Sequence, residues 1–345
     1  MAERAWTTGD FDFDLPEELI AQVPVTERGA SRLLVVDRAV GTRADRQFTD
    51  LPSLLAPGDL LVVNSTRVRH ARLLGTRPSG GPAEVLLIHP AGQDDWIAMG
   101  KPGSAMQPGK VIALGDGIGV ETLEVRDDGL RRVRFVGADA ADAIRRFGQL
   151  PLPPYITRAP TDDDERRYQT VYAAREGSVA APTAGLHFTE GLLDQLRSRG
   201  VAIAELDLEV GPGTFKPVET ERITEHPMHA ERFRVPAETA AAIAATRSRG
   251  GELWAVGTTV VRALESVARA DRTVAAGEGE TNLMIAPGHH FRAVDHLITN
   301  FHLPRSTLLM LVSAFAGHDQ TMAAYAHAVA ARYRFYSYGD AMCIL

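Results

Sequence analysis

Residues 180–190 read Ala-Ala-Pro-Thr-Ala-Gly-Leu-His-Phe-Thr-Glu. Within this run Thr183 offers a hydroxyl and His187 an imidazole, groups that can orient a ligand or move a proton. Pro182 removes a backbone donor and Gly185 permits a tight turn. Thr189 is placed to cap a helix over 191–199, whose Leu192, Leu193 and Leu196 form an apolar face ending at Gly200. A rigid turn beside helix N-terminal amides suits a polar or anionic ligand. The same residues also suit a well-capped loop with a satisfied histidine, so the rest of the chain must decide.

Comparable clusters follow several predicted strands. After Val63 come Asn64-Ser65-Thr66-Arg67, with Arg69, His70 and Arg72 close behind. Glu209-Val210 leads into Gly211-Pro212-Gly213-Thr214. Gly257-Thr258-Thr259 precedes Arg262 and Glu265. Thr299-Asn300-Phe301-His302 leads to Arg305-Ser306. Ligands of α/β folds bind at the carboxyl ends of strands, and loops concentrate function. Gly211-x-Gly213 lacks the third glycine of a dinucleotide fingerprint, and neither a Walker motif nor a Gly-x-Ser-x-Gly elbow occurs. His226-Pro-Met-His229-Ala-Glu231 has the spacing of a metal trio, but Pro227 argues against the helix that spacing needs. A structural or proton-transfer role is favoured and no metal is expected. The acid–base candidates are His187, His229, Glu231, Glu209, His302 and Asp340.

These clusters need elements to hold them. The 345 residues are 45% hydrophobic and 23% charged, and fit two soluble domains. Net charge is −7, yet residues 28–77 carry nine arginines against four aspartates, a local surplus of +5 that could follow a phosphate backbone. Cys343 is the single cysteine, so no intrachain disulfide or Cys-based zinc site is expected. No apolar run is long enough to span a bilayer and the first residues lack the apolar core of a signal peptide. No membrane association and a cytoplasmic location are expected.

Leu-Leu-Val-Val recurs at 33–36 and 60–63 as strands of buried type. From 71 to 136, short strand candidates alternate with turn signals such as Ser79-Gly80-Gly81 and Gly115-Asp116-Gly117, the texture of a small all-β unit. A helix over 140–147 and the stiff Leu150-Pro151-Leu152-Pro153-Pro154 close it. Beyond Tyr155 helices and strands alternate, with a polar loop over 271–280 before Asn282. The expected fold is α/β: a mixed or largely parallel sheet covered by helices, formed by 1–70 and 151–345, with a small all-β barrel inserted at 71–150.

Longer runs carry a resemblance. Phe-Asp-Phe-Asp-Leu-Pro-Glu-Glu-Leu-Ile-Ala-Gln from Phe11, Ser31-Arg32-Leu33-Leu34, Gly58 to Asn64, 180–189, 257–262 with Glu265-Ser266, 297–317 and Tyr-Arg-Phe-Tyr-Ser-Tyr-Gly-Asp-Ala at 333–341 stand in order along the chain. Together they resemble the S-adenosylmethionine:tRNA ribosyltransferase-isomerase family of queuosine biosynthesis. The resemblance implies an α/β domain with a β-barrel insert, and S-adenosylmethionine as co-substrate with no separate cofactor. The acceptor it implies is 7-aminomethyl-7-deazaguanine at the wobble position of tRNAs with GUN anticodons (Asp, Asn, His, Tyr). The product is epoxyqueuosine, with adenine and methionine released.

Such chemistry needs a base beside the sulfonium carbon and an acid for departing adenine. His187, His229, Glu231 and Glu209 are the catalytic candidates. Thr183, Gly185, Gly213, Thr214, Thr258, Thr259, Glu265, Thr299, Asn300, His302 and Asp340 are candidates for holding substrate. Arg32, Arg67, Arg69, Arg72, Arg262 and Arg305 are candidates for RNA contacts. A monomer is expected. The chain departs from the family pattern at Ser65, Ala230, Gly279 and His289, and at Glu209, where the pattern has a histidine. These departures keep open a paralogue with a small-molecule acceptor, and a non-catalytic tRNA-binding protein is a third reading.

Overall fold

A computed structural model describes residues 4–92, 94–211 and 218–345. In chain order, β1 (Arg32–Asp37), β2 (Thr42–Gln47), β3 (Leu60–Asn64) and β4 (Thr66–Val68) come first. A strand-rich stretch follows: β5 (Arg72–Thr76), β6 (Pro82–Pro90), β7 (Asp95–Lys101), β8 (Val111–Gly115), β9 (Ile118–Val125), β10 (Arg131–Val136), α1 (Ala140–Phe147) and β11 (Gly148–Gln149). Then come α2 (Asp162–Arg167), β12 (Arg175–Ser178), α3 (Glu190–Ser198), β13 (Ala202–Leu208), β14 (Glu231–Val235), α4 (Ala237–Ser248), β15 (Leu253–Val256) and α5 (Thr258–Val267). The chain finishes with β16 (Gly277–Thr281), β17 (His296–Asn300), α6 (Thr307–Ala316), α7 (His318–Ala330) and β18 (Ala341–Ile344).

A nine-stranded sheet runs β16-β14-β13-β3-β15-β17-β18-β1-β2. Its centre, β13-β3-β15-β17, is parallel. β18 runs antiparallel to β17 and parallel to β1, and the outer pairings β1–β2, β13–β14 and β14–β16 are antiparallel. The sheet is therefore mixed. β15 is apolar in every position and β3 in all but its last, Asn64, because both faces of the sheet are covered there. Leu34, Val36, Leu60 and Val62 pack among buried residues of α4 to α7, whereas Leu33, Val35, Leu61 and Val63 face Leu192, Leu193 and Leu196 of α3 on the other side.

A second, seven-stranded sheet runs β11-β5-β6-β7-β10-β9-β8, and Thr76 of β5 also pairs with Ala113 of β8. It has its own core, including Leu73, Val85, Leu87, Ile112, Val120 and Val133.

Both edge strands of the large sheet depart from the sequence reading. β2 is exposed along its whole length, and β16 lies largely in what reads as a polar loop. Both sit at sheet edges, where backbone pairing suffices and polar side chains face water.

Candidate functional site

The carboxyl ends of β15 and β17 meet at a cleft, the kind of concave surface that small molecules occupy. Thr183, Thr258, Thr259, Thr299, Asn300 and His302 all line it, together with Val210, Ser306, Leu308 and the aromatic rings of Tyr155, Phe301 and Tyr336. Two helices start on its rim. α6 is capped conventionally, Ser306 accepting from the Leu309 amide at 3.2 Å. α5 begins after Gly257, which has no side chain to cap with. His302 Nε2 lies 2.8 Å from Thr299 Oγ1, and burial pushes the imidazole down to about 3, so it is neutral in ordinary buffers.

His187 stands behind this cleft rather than on it. Residues 183–187 form a single tight helical turn, and Thr189 caps α3 through the Leu192 amide at 3.1 Å. The imidazole is buried beside Phe48, its ring centroid 5.0 Å away. Asn300 Nδ2 donates to Nε2 at 3.1 Å, which leaves Nδ1 to donate to Ser31 Oγ at 2.9 Å. Burial, helped by Arg28 and Arg334, lowers His187 to about 3. An imidazole so held is neutral in ordinary buffers and accepts from Asn300.

Other expected ligand groups are occupied elsewhere. Gly185 makes room for the Tyr172 hydroxyl, which a Cβ would strike. Glu265 is buried and accepts from the amides of Arg292, Ala293 and Val294 at 2.9, 3.0 and 3.2 Å, so it pins that loop. Burial alone would raise its carboxyl, but His289 and these amides prevail and lower it. Asp340 accepts from the amides of Arg32 at 2.9 Å and Arg334 at 2.8 Å, tying β1 to the C-terminal segment. Glu209 lies in a separate groove with Arg175, Asp207 and Arg232. Its neighbour Val210, just beyond the end of β13, lines the first cleft instead. Gly213 and Thr214 lie outside the described residues.

A second cleft adjoins the first through Leu308. His226, Met228, His229, Glu231, Arg262 and Thr307 line it. Arg262 is buried against the Glu231 carboxylate and donates to the Leu283 carbonyl at 3.1 Å, while Glu231 also accepts from the Gly211 amide at 3.0 Å. His229 is exposed at this cleft. Among the described residues no group of three His, Cys, Asp or Glu side chains converges to hold a metal.

The arginines divide as well. Arg262 is internal, so it is not placed to meet RNA at the surface. Arg32 lies over the Tyr333 ring, 3.7 Å from its centroid, and donates to the Ala331 carbonyl at 3.0 Å. Arg72 pairs with Glu84 at 2.9 Å across β5 and β6. Arg69 is half-buried near Trp96, and that burial lowers it. Arg67 and Arg305 are exposed, Arg305 in an ion pair with Asp12.

The family described as queuosine biosynthesis protein matches residues 8–344. The chain belongs to that family. A relative from Azoarcus sp. (strain BH72), named S-adenosylmethionine:tRNA ribosyltransferase-isomerase, is 54% identical over 336 residues, covering 97% of this chain and 96% of that one. One of the same name from Symbiobacterium thermophilum is 56% identical over 339 residues, covering 97% and 99%. The crystal structure of S-adenosylmethionine tRNA ribosyltransferase from Thermotoga maritima matches with a TM-score of 0.56 and 38% identity over 97% of this chain and 100% of that one.

In this member of the queuosine biosynthesis family the cleft also uses residues that sequence reasoning passed over. Tyr155 packs against Tyr336 with ring centroids 4.6 Å apart and the planes tilted by 49°, and its hydroxyl lies 2.5 Å from Ser337 Oγ. Burial pushes that hydroxyl's pKa well up, so it stays protonated. The signal was present in the aromatic run at 333–341, but nothing local tied it to the proline-rich stretch before Tyr155.

Proposed function

We propose that this chain transfers and isomerises the ribosyl part of S-adenosylmethionine onto 7-aminomethyl-7-deazaguanine at the wobble position of tRNA. The product is epoxyqueuosine, and adenine and methionine leave. The observation that carries this reading is the pair of adjoining clefts at the strand ends, in a chain more than half identical to named ribosyltransferase-isomerases over nearly its full length. The hydroxyl- and aromatic-lined first cleft suits the donor's adenosine and sulfonium, since aromatic faces attract cations. The second cleft suits the acceptor base, with Met228 offering a soft apolar wall.

His229, exposed at the second cleft, takes the proton beside the sulfonium carbon. Glu231, held by Arg262, orients it. S-adenosylmethionine serves as co-substrate without a further cofactor. The acceptors are tRNAs with GUN anticodons, gripped in part by Arg67 and Arg305, and the protein works as a cytoplasmic monomer. No helix among the described residues is long and apolar enough to cross a membrane. The second sheet, with its β5–β8 contact, is read as a barrel-like domain at 71–150 inserted into a domain of 1–70 and 151–345.

Incubation with S-adenosylmethionine and tRNA bearing the aminomethyl-deazaguanine tests this. Mass spectrometry of the digested RNA should show epoxyqueuosine, with one adenine released per modification. Adenine release with the free base alone would instead select a small-molecule acceptor, and binding without turnover a non-catalytic role. Glu209, the departure that favours a small acceptor most, lies off both clefts and so gives that alternative no structural support.

A further inference from the structure

The start of α5 is an unusual surface to bury. Thr258 is 6% exposed, Thr259 9% and Val260 0%. The first amides of a helix have no acceptor within it. Gly257 supplies no cap, and no group among the described residues accepts from the Thr258, Thr259 or Val260 amide. Such amides carry partial positive charge and favour an anion.

Asn300 is the second odd feature of the same cleft. It is 2% exposed. Its Nδ2 donates to His187 Nε2 and to the Tyr336 carbonyl, each at 3.1 Å, which uses both amide hydrogens. Its Oδ1 is buried with no partner. A buried amide oxygen left unpaired costs stability that a donor from a ligand would restore. The two features are neighbours, because the Gly257 amide donates to the Ile298 carbonyl at 2.7 Å and β15 pairs with β17 in parallel.

We infer that the cleft clamps the amino-acid end of S-adenosylmethionine, its carboxylate on the uncapped N-terminus of α5 and its ammonium on Asn300 Oδ1, with His187 as the positioning residue for Asn300. This rests on the reading of the chain as a user of that donor. The carboxylate is the donor's only anion, and the ammonium beside it is a strong hydrogen-bond donor. The opposite arrangement would set like charge against the helix end. His187 must be neutral to accept from Asn300. A proton on Nε2 would face the Asn300 amide hydrogens and favour turning Oδ1 away from the cleft.

Calorimetric titration with S-adenosylmethionine and with 5′-methylthioadenosine, which lacks the amino-acid end, tests the clamp. Proline is tolerated at the first helical position and Gly257 has an extended ψ, so Thr258→Pro removes one amide hydrogen and keeps the helix. Thr258→Ala measures the hydroxyl's share alone. Thr258→Pro should weaken S-adenosylmethionine about tenfold beyond Thr258→Ala, as expected for a charge-assisted hydrogen bond. Asn300→Leu and His187→Ala should weaken it comparably. All of them should leave methylthioadenosine within about twofold of wild type, a selectivity that a general loss of structure would not give.

Equal weakening of both ligands, in variants whose thermal unfolding remains cooperative, overturns the clamp. So does unchanged S-adenosylmethionine affinity in Thr258→Pro. If the wild-type protein binds neither ligand, the donor assignment itself falls, and the clamp with it.

Discussion

His187 and His302 are buried imidazoles whose surroundings hold them neutral, each lowered to about 3. An unfolded histidine titrates near ~6.5. Above that pH neither state carries the proton and these residues contribute nothing to pH dependence. Below it the unfolded chain takes protons that the folded chain refuses, so stability falls as the pH drops toward 3. At pH 5 the loss is roughly 2 kcal/mol per histidine. Urea unfolding at pH 7.5 and pH 5 should therefore show His302→Gln losing about 2 kcal/mol less than wild type between the two pH values. An identical loss would show that His302 is not the buried neutral group described. At this scale the sequence was informative about residue type and poor about direction. Thr258, Asn300 and His302 reach the cleft as expected. Glu265 and Asp340 look equally polar in sequence but are consumed by backbone amides. Glu209 and Val210 are neighbours just beyond β13 yet line different grooves, which residue type alone does not tell.

Two helices depend on glycine for their first turn. Gly257 before α5 has φ 92° and ψ 154°, and Gly317 before α7 has φ 86° and ψ 139°. L-residues rarely adopt these angles, at a cost of about 1–3 kcal/mol. Gly257→Ala and Gly317→Ala should each lower stability by that amount in chemical denaturation. Only the first should weaken S-adenosylmethionine, because Gly257 lines the cleft whereas Gly317 lies at the far end of α6 from it. Equal effects on ligand affinity would argue that the cleft is not formed at the start of α5. The sequence marked Gly257-Thr258-Thr259 as a cluster ahead of Arg262 and Glu265, but two β-branched threonines do not show that the helix already begins at Thr258. β1 and β3 were legible because strands buried on both faces must be continuously apolar. β2 and β16 were not, because an edge strand needs only backbone partners.

Across the whole molecule, the arginine surplus at 28–77 was legible as charge but not as use. Arg28 donates to the Gln169 carbonyl at 2.9 Å, and Arg38 to that of Asp295 at 2.8 Å, so both bind the fold together and are not free to form a phosphate track. Arg67 is exposed, and Arg67→Ala should lower the salt slope of tRNA binding by about one; an unchanged slope removes it from the interface. The second sheet offers a larger test. Arg72 and Gln149 face each other across the β5–β11 pair, so the chain leaves and rejoins the first part at one point. A two-residue Asn-Gly turn can join residues so placed, because its twist matches an antiparallel pair. Replacing 73–148 by that turn removes the second sheet's core and exposes Ala71 and Val179, while the clusters on both faces of the large sheet lose no buried member. The shortened protein should unfold cooperatively by circular dichroism and bind S-adenosylmethionine within about twofold of the full chain. Its tRNA affinity should fall if the second sheet takes part in holding RNA. Aggregation, or loss of donor binding, would mean instead that the large sheet needs the second sheet to fold, and that the proposed boundary at 71–150 divides the sequence without dividing the molecule.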